Sequence, residues 1–585
     1  MIYRLKNTVD KNLSAKEQIL INRGIRPSDI HHYLNTTDKD INSPLLFGEE
    51  KMRAAARTLL THIQNRDPIL VIVDPDCDGY TSSAILINYL YDLFPNFVEN
   101  CLHWFHHEGK QHGLSDVVGA ENYQLIIAPD SGSNDYDEHL ELAKLNIPVI
   151  ILDHHEAEIV SPNAIVINNQ LSGYPNKSLT GAGVTWQFCR YLDYSLNKNL
   201  ADQYRDLVAL GDMADMADLR QIETKHLITT GFRDENIKNP FIAAMARKNA
   251  YSLGNKITPM GAAFYIAPFV NAMVRSGTQE EKELLFKSML SFEAFKKVPS
   301  TKRGHNFGDV ETVVEQAIRV ATNVKNRQTK AQDSMLEKLE SKIISDNLLQ
   351  HKVLLFLLDT GAIDKNIAGL VANKFMSKYQ RPCCILTKCQ IDDKIVYQGS
   401  ARGCDLAGVS QFKDICAAAP GVTFAQGHQG AFGLGITLDE VAAFLSYTDQ
   451  ALNDMSSEPI YYVDYIYENT DVSPQNILDI AYLNELWGTG MPEPYIAIRS
   501  LRISKDIVTV YEKKNLTLKI TLPNKISIML FDAPEDLCDK LQNQNPGYYT
   551  FDIVGRCNAN EWGGSVTPQI FIEDYEITGQ TKFAF

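Results

Sequence analysis

Unbroken apolar runs alternate with longer mixed segments through the first half of the chain. Ile69-Leu70-Val71-Ile72-Val73, Leu125-Ile126-Ile127-Ala128 and Pro148-Val149-Ile150-Ile151-Leu152 lack polar alternation and are bounded by turn-forming residues. Such runs predict strands of an open parallel sheet, buried on both faces by helices. Lys51 to Asn65 has the spacing of an amphipathic helix leading into the first run. The residues before it, 1–50, hold short polar segments and turns and are expected to pack on the domain that follows. Strand and helix patterns then alternate across 51–310, which reads as one α/β domain.

A second half follows with a different texture. Glu311 to Leu349 contains neither Pro nor Gly and keeps helical periodicity, predicting a connecting helix over 311–350 that carries Arg319, Lys325, Arg327 and Lys330. Residues 351–455 return to alternating strand and helix, with Arg381-Pro382-Cys383-Cys384-Ile385-Leu386 as one strand, and form a second α/β domain. From 456 to 585 the pattern is β-rich, with strands expected over 496–503, 516–522, 526–531, 548–554 and 569–572. Short strands between turns predict a small sandwich or barrel.

The length of 585 residues suits three or four domains, and 44% apolar content suits globular cores. Val353-Leu354-Leu355-Phe356-Leu357-Leu358 is far too short to span a bilayer, and the first residues lack a long apolar core. A cytoplasmic protein with no membrane association is expected. The ten cysteines form no Cys-x-x-Cys framework, and Cys383 and Cys384 read as buried thiols of a reducing compartment.

The chemistry sits where the apolar runs end. Val73 is followed by Asp74-Pro75-Asp76-Cys77-Asp78, Pro129 by Asp130-Ser131-Gly132, and Leu152 by Asp153-His154-His155. Three carboxylates at alternate positions repel one another unless a cation neutralises them. Parallel strands bring their carboxyl ends to one crevice, so the three motifs predict one centre for Mn²⁺ or Mg²⁺. The acidic excess is enough for two ions sharing a bridging carboxylate. A single Asp after a strand is usually a helix cap, and paired histidines also occur at His31-His32 and His106-His107; the serial arrangement is what sets these apart.

These motifs resemble the DHH phosphoesterase superfamily. Leu179-Thr180-Gly181-Ala182-Gly183-Val184, Leu210-Gly211-Asp212-Met213-Ala214-Asp215 and Pro268-Phe269-Val270-Asn271-Ala272-Met273-Val274-Arg275 are similar to successive blocks of its bacterial RecJ exonuclease branch. Ile367-Ala368-Gly369, Gly399-Ser400-Ala401-Arg402 and Gly427-His428-Gln429-Gly430 resemble its DHHA1 domain. Trp487-Gly488-Thr489-Gly490-Met491-Pro492-Glu493-Pro494 and Asn560-Glu561-Trp562-Gly563-Gly564 resemble its OB domain. Motif order is kept over residues 45 to 575. The resemblance implies DHH and DHHA1 α/β domains joined by a long helix, a C-terminal OB-like β-barrel, and a single-stranded-DNA-specific 5′→3′ exonuclease acting in recombination, repair or replication.

The family pattern, carried onto this chain, gives one ion Asp76 with help from Asp74 and the other Asp78, His154 and Asp215, with Asp130 between them. Asp215 is favoured over Asp212. Asp153 would orient an imidazole, and His155 would face the scissile phosphate. Asn271, Arg275, Ser400, Arg402 and His428 would grip the DNA backbone and its 5′ end. In the β-rich part, Trp562, Lys513, Lys514 and Lys519 are candidates to stack bases and hold phosphates. A monomer that works with a single-strand-binding protein or a helicase is implied.

The chain departs from the pattern in three places. Val-Asp-Pro-Asp replaces the usual opening of the first motif, Gln426 replaces a glycine, and no arginine precedes His112-Gly113-Leu114 to hold a terminal phosphate. His106, His107 and Lys110 are the candidates for that role. Two other hydrolase readings share the metal core, a phosphodiesterase of short oligonucleotides or cyclic dinucleotides and a polyphosphate or pyrophosphate hydrolase; an inactive DHH-like replication scaffold is a third, of a different class, and needs missing ligands.

The formal charge of −16 at first disfavours nucleic acid. The acidic metal cluster accounts for part of it, and a basic groove can coexist with an acidic exterior. Binding confined to such a groove should weaken with salt by a slope of about −0.7 in log K per phosphate contacted. Titrating single-stranded DNA at several salt concentrations checks this, and a slope near zero would contradict a charged groove.

Overall fold

The computed structural model describes residues 1–582 apart from 110, 116, 392–393, 513 and 544–546. The chain forms two compact units. Residues 23–326 and 483–493 make the first; residues 1–22, 327–482 and 494–585 make the second. Strand Ile2–Leu5 (β1) opens the chain and finds its partner only in the second unit, described below.

In the first unit the apolar runs become Ile69–Val73 (β2), Leu125–Pro129 (β4) and Val149–Asp153 (β5), joined by Leu102–His106 (β3) and Ile165–Asn168 (β6). All pairings are parallel, in the order β3-β2-β4-β5-β6. Every residue of β2, β4 and β5 is buried, which is why these strands read as continuous apolar runs. The chain steps from β2 outward to β3 and then returns across β2 to β4. That reversal opens a crevice at the carboxyl ends of β2 and β4, the position where doubly wound sheets bind ligands.

Helix Cys77–Leu93 is buried from Cys77 through Leu90 and packs against helices Gly181–Leu196 and Arg205–Ala214. Trp186 lies fully buried on the first of these two, its Nε1 donating to the carbonyl of Ala201 at 2.9 Å. A short ribbon of Lys297–Pro299 (β7) and Val310–Thr312 (β8) precedes the predicted long helix, which spans Val313–Ser345.

The second unit holds two sheets. Leu354–Leu358 (β9), Cys383–Ile391 (β10), Lys394–Arg402 (β11), Val422–His428 (β12) and Ala431–Thr437 (β13) pair in the order β12-β13-β11-β10-β9. One group of buried side chains around this sheet includes Phe356 and Phe375 with Leu339 and Ile343 of the long helix; another includes Cys384, Phe412, Phe432 and Leu434. The other sheet has eight strands: β1, Ile460–Glu468 (β14), Tyr495–Ile503 (β15), Val508–Glu512 (β16), Leu516–Thr521 (β17), Ser527–Phe531 (β18), Gly547–Trp562 (β19) and Ser565–Lys582 (β20). They run in the order β1-β14-β15-β19-β20-β18-β17-β16. Among the described residues the edge strands β1 and β16 do not pair with each other, so the β-rich region expected to be OB-like is present without a closed barrel. Register shifts in the β19–β20 hairpin, at Thr550/Phe551 and Val554/Gly555, bend it without closing it.

Two expectations change. Residues 1–50 do not pack as one segment on the first unit: β1 adds in parallel to the edge of β14, from Ile2 opposite Ile460 to Leu5 opposite Val463. Asn22 Nδ2 also donates to Asp464 Oδ1 at 2.8 Å, so 1–22 belong to the second unit. An extended segment must satisfy its backbone donors and acceptors, and the open edge of β14 does this. Conversely 483–493, expected within the OB-like region, belong to the first unit, where Leu219 N donates to the Thr489 carbonyl at 3.0 Å and Arg23 Nε to the Pro492 carbonyl at 2.9 Å. Lys513 and the side chain of Trp562 lie outside the described residues; Lys514 is exposed and Lys519 partly buried.

Phe412 has no exposed surface and meets the Phe432 ring with centroids 5.6 Å apart. Phe412→Ala should destabilise the second unit by about 3–5 kcal/mol. Urea unfolding checks this, and an unchanged transition would show that the site is not the core contact described.

Candidate metal centre

The carboxyl ends of β2, β4 and β5 deliver their acidic residues to the crevice. Asp74 is buried; its Oδ1 accepts from Gly113 N at 3.1 Å and its Oδ2 faces His112 Nδ1 at 2.8 Å. Asp76 caps helix Cys77–Leu93, Oδ1 accepting from Gly79 N at 2.9 Å. Asp78, in the first turn of that helix, is buried against the start of helix Gly181–Leu196. Its Oδ2 accepts from Gly181 N at 2.7 Å, and its Oδ1 from Ala182 N at 3.0 Å and the Thr180 hydroxyl at 2.9 Å. The positive end of helix Gly181–Leu196 thus faces a carboxylate. A Cβ at Gly181 would lie 2.3 Å from Asp130 Oδ1, so the close approach requires glycine.

Asp130 has φ 65°, a left-handed conformation unusual for a residue with a side chain. Its Oδ1 is buried and accepts no hydrogen bond, although His154 Nε2 lies 3.2 Å away. The same nitrogen is 3.4 Å from Asp215 Oδ2 and 3.8 Å from Asp78 Oδ2. Ligands at right angles on an ion with bonds near 2.1 Å stand about 3 Å apart, so these gaps suit a shared cation. Among the described residues three overlapping groups have ligand atoms within 4.8 Å of one another: Asp74, Asp76 and Asp130; Asp78, His154 and Asp215; and Asp130, Asp153, His154 and His155.

The electrostatics of the cluster favour an added positive charge. Burial, then repulsion from Asp78, Asp76 and Asp74, pushes the Asp130 carboxyl well above the usual range. Burial also raises Asp78, against the opposing pull of His154. Partial burial and the charges of Asp78 and Asp76 push Asp215 up, even though 41% of its side chain meets solvent. His154 is lowered by burial, which favours the neutral imidazole that a metal requires.

Asp153 stands behind this group. It is buried, yet hydrogen bonding by His155, the His charges and Ser133 outweigh burial and hold it well below the carboxylate range. It accepts from the amides of His154 at 2.7 Å and Ser133 at 3.0 Å, and faces His155 Nδ1 at 2.8 Å. That contact pushes His155 up to about 9. His155 borders a cleft of ≈ 290 Å³ lined also by His112, Ser131, Ser133 and Asn134.

Thr180 and His112 are additions that the motifs alone do not assign. Thr180 Oγ1 lies 2.9 Å from both Asp78 Oδ1 and Asp212 Oδ1. One hydroxyl proton serves only one acceptor. Burial and the charge of Asp78 raise the Asp212 carboxyl well above the usual range, and the Thr180 hydroxyl lies between two acids that compete for its proton. Asp212 is in none of these ligand groups. Neither expected histidine faces the cleft. His106 Nε2 is 3.2 Å from Glu283, and His107 is buried with Nε2 2.9 Å from the Gly113 carbonyl; Lys110 lies outside the described residues. His112 lines the cleft instead.

Asn271 and Arg275 lie one turn apart on helix Ala267–Ser276, which packs against helices Cys77–Leu93 and Arg205–Ala214. Arg275 is exposed, and Asn271 Oδ1 is buried without a hydrogen bond. In the second unit, Ser400 and Arg402 share one face of β11, and Arg402 and His428 both register with Ala431 of β13. Gly369 makes room for this cluster, because a Cβ there would lie 2.3 Å from Arg402 Nη2 and 3.4 Å from Ser400 Oγ.

Comparison with known proteins places this geometry. Residues 68–211 match the DHH family, N-terminal domain, and residues 463–574 match the RecJ OB domain. YorK of the SPbeta prophage of Bacillus subtilis, named as a candidate single-strand DNA-specific exonuclease, is 33% identical over 100% of both chains. The single-stranded-DNA-specific exonuclease RecJ of that bacterium is 24% identical over 96% of this chain and 67% of its own. The crystal structure of Thermus thermophilus RecJ in complex with Mn²⁺ shares the fold at TM-score 0.68 and 19% identity, covering 99% of this chain and 80% of that one. Full-length similarity to YorK, the two domain matches in order and the shared fold show that the chain belongs to the RecJ branch of the DHH family.

Proposed function

We propose that the protein is a single-stranded-DNA exonuclease that removes nucleotides in the 5′→3′ direction, using two Mn²⁺ or Mg²⁺ ions. The observation that carries this reading is the buried, unpartnered Oδ1 of Asp130, placed between the Asp74/Asp76 side and His154 of the other ligand group. Hard oxygen donors with one neutral imidazole fit these cations. Asp76 with Asp74 would hold one, Asp78, His154 and Asp215 the other, and Asp130 both. Bound ions supply neutralisation of the phosphate and acidification of a water nucleophile.

The chain's own groups do the rest. Thr180 and the amides of Gly181 and Ala182 fix Asp78 in orientation. Asp153 fixes the His155 ring with Nδ1 toward itself, leaving Nε2 to donate toward a phosphate in the adjacent cleft. Arg402 brings a planar fork to phosphate, with Ser400 and His428 beside it as further donors. The 5′ polarity and the grip of these residues on the terminal nucleotide rest on the resemblance of the motifs that carry them to the RecJ branch.

Long single-stranded DNA labelled at either end, incubated with Mn²⁺, should release mononucleotide from the 5′ label at once while the 3′ label shortens gradually. Asp130→Ala should be folded and inactive, with weakened Mn²⁺ binding by calorimetry. Early release from the 3′ label would reverse the polarity, and cleavage of only di- to pentanucleotides would replace the reading with a small-substrate phosphodiesterase.

His155 is raised, so its cation is present at neutral pH and is lost as pH climbs through about 9. The kcat/KM profile should fall on an alkaline limb there, and Asp153→Asn should move that limb toward the ordinary imidazole value of about 6.5. An unmoved limb would remove His155 from the charge-bearing role.

A further inference from the structure

Residues 236–279 contain no Asp or Glu, although acids occur about once in eight residues over the whole chain. The same 44 residues carry Lys238, Arg247, Lys248, Lys256 and Arg275. Lys256 is paired with Glu485, while Arg247 and Lys248 are exposed. In a molecule with a formal charge of −16 this is a locally cationic surface.

Aromatic side chains are interleaved with these cations. Tyr251 is fully exposed, Phe264 is 63% exposed and Tyr265 39%. Large rings open to water on one surface mark a binding face more often than a monomer's ordinary exterior. Local contacts join the segments that carry them: Asn249 Nδ2 donates to the Tyr265 carbonyl at 2.9 Å, and the neighbouring Lys248 Nζ donates to the Thr322 hydroxyl and lies 4.4 Å from the centre of the Phe269 ring. The surface comprises helices Pro240–Lys248, Ala250–Leu253, Pro259–Tyr265 and Ala267–Ser276, each in contact with the next. The last packs against helix Cys77–Leu93, which carries Asp78 in its first turn, and helix Arg205–Ala214, which ends at Asp215.

We infer that this surface is a stacking track for the part of a single strand lying outside the catalytic cleft. Tyr251, Phe264 and Tyr265 receive base faces, and Arg247 and Lys248 meet the phosphates between them. Any base offers a π face, so such a track holds DNA without reading its sequence. The segment supplies no carboxylate of its own and Lys256 is matched by Glu485, so Arg247 and Lys248 are the cations that favour a polyanion here. The inference rests on the reading of the protein as a single-strand nuclease, but concerns only strands longer than the cleft holds.

The test compares the full-length chain with Tyr251→Ala/Phe264→Ala and Arg247→Glu/Lys248→Glu, each in an Asp130→Ala background that does not degrade the ligand. Fluorescence anisotropy reads binding of oligothymidylates of about 30 and about four nucleotides. The aromatic variant should bind the long strand about tenfold more weakly and the short one within about twofold of the parent. The charge variant should also weaken the long strand and flatten its salt slope by about 1.4, two phosphate contacts. Unchanged long-strand affinity in both variants overturns the track, as does equal weakening of long and short strands. End-label degradation by the unsubstituted chain is run alongside: activity there with an unchanged variant sinks the track alone, whereas no degradation sinks the exonuclease reading itself.

Discussion

Mutual repulsion among buried carboxylates governs the first unit. Asp74, Asp78 and Asp130 are each about 1% exposed and converge from the ends of adjacent strands, an arrangement that is unfavourable for a protein alone. Much of the surrounding structure offsets that cost without removing it. The amides of Gly113, Gly79, Gly181 and Ala182 each donate to an acid of the cluster, and the start of helix Gly181–Leu196 is aimed at Asp78. Partial compensation leaves a net demand for cations in the crevice. A fully neutralised cluster would be stable and inert.

The strained and crowded positions fall in the same small volume. Asp130 is left-handed, as is Met216 directly after Asp215, and helix Gly181–Leu196 approaches Asp130 so closely that only glycine fits. Such conformations persist where neighbouring structure over-determines them. Here the parallel sheet on one side and three buried helices on the other do so. Asp153 is set apart by its environment: amides and an imidazole stabilise its charge, so it remains an anion and serves the His155 ring instead of the cluster.

The parts legible in the sequence are those whose signal is local. Strands β2, β4 and β5 are visible because burial on both faces writes an unbroken apolar run, and the acids at their ends are visible because parallel strands share a direction. Strand β3 escapes this pattern: Leu102-His103-Trp104-Phe105-His106 lies at the edge of its sheet, partly open, and carries polar residues that disguise it. Thr180 and His112 fall within recognisable motifs without a role of their own, since their roles depend on contacts with Asp78 and Asp74 across 102 and 38 residues of chain. The place of 1–22 is hidden for the same reason, because nothing in four extended residues names β14 as their partner.

That exchange of segments has a consequence for the molecule as an object. The second unit includes 1–22, and the first borrows 483–493 from within the stretch that otherwise builds the eight-stranded sheet. No single cut in the polypeptide separates the two units intact: a break anywhere between them strands a piece of one on the wrong fragment. The chain is therefore interlaced, and β1, which precedes the first unit along the polypeptide, must wait until Ile460 has been added before it can be received.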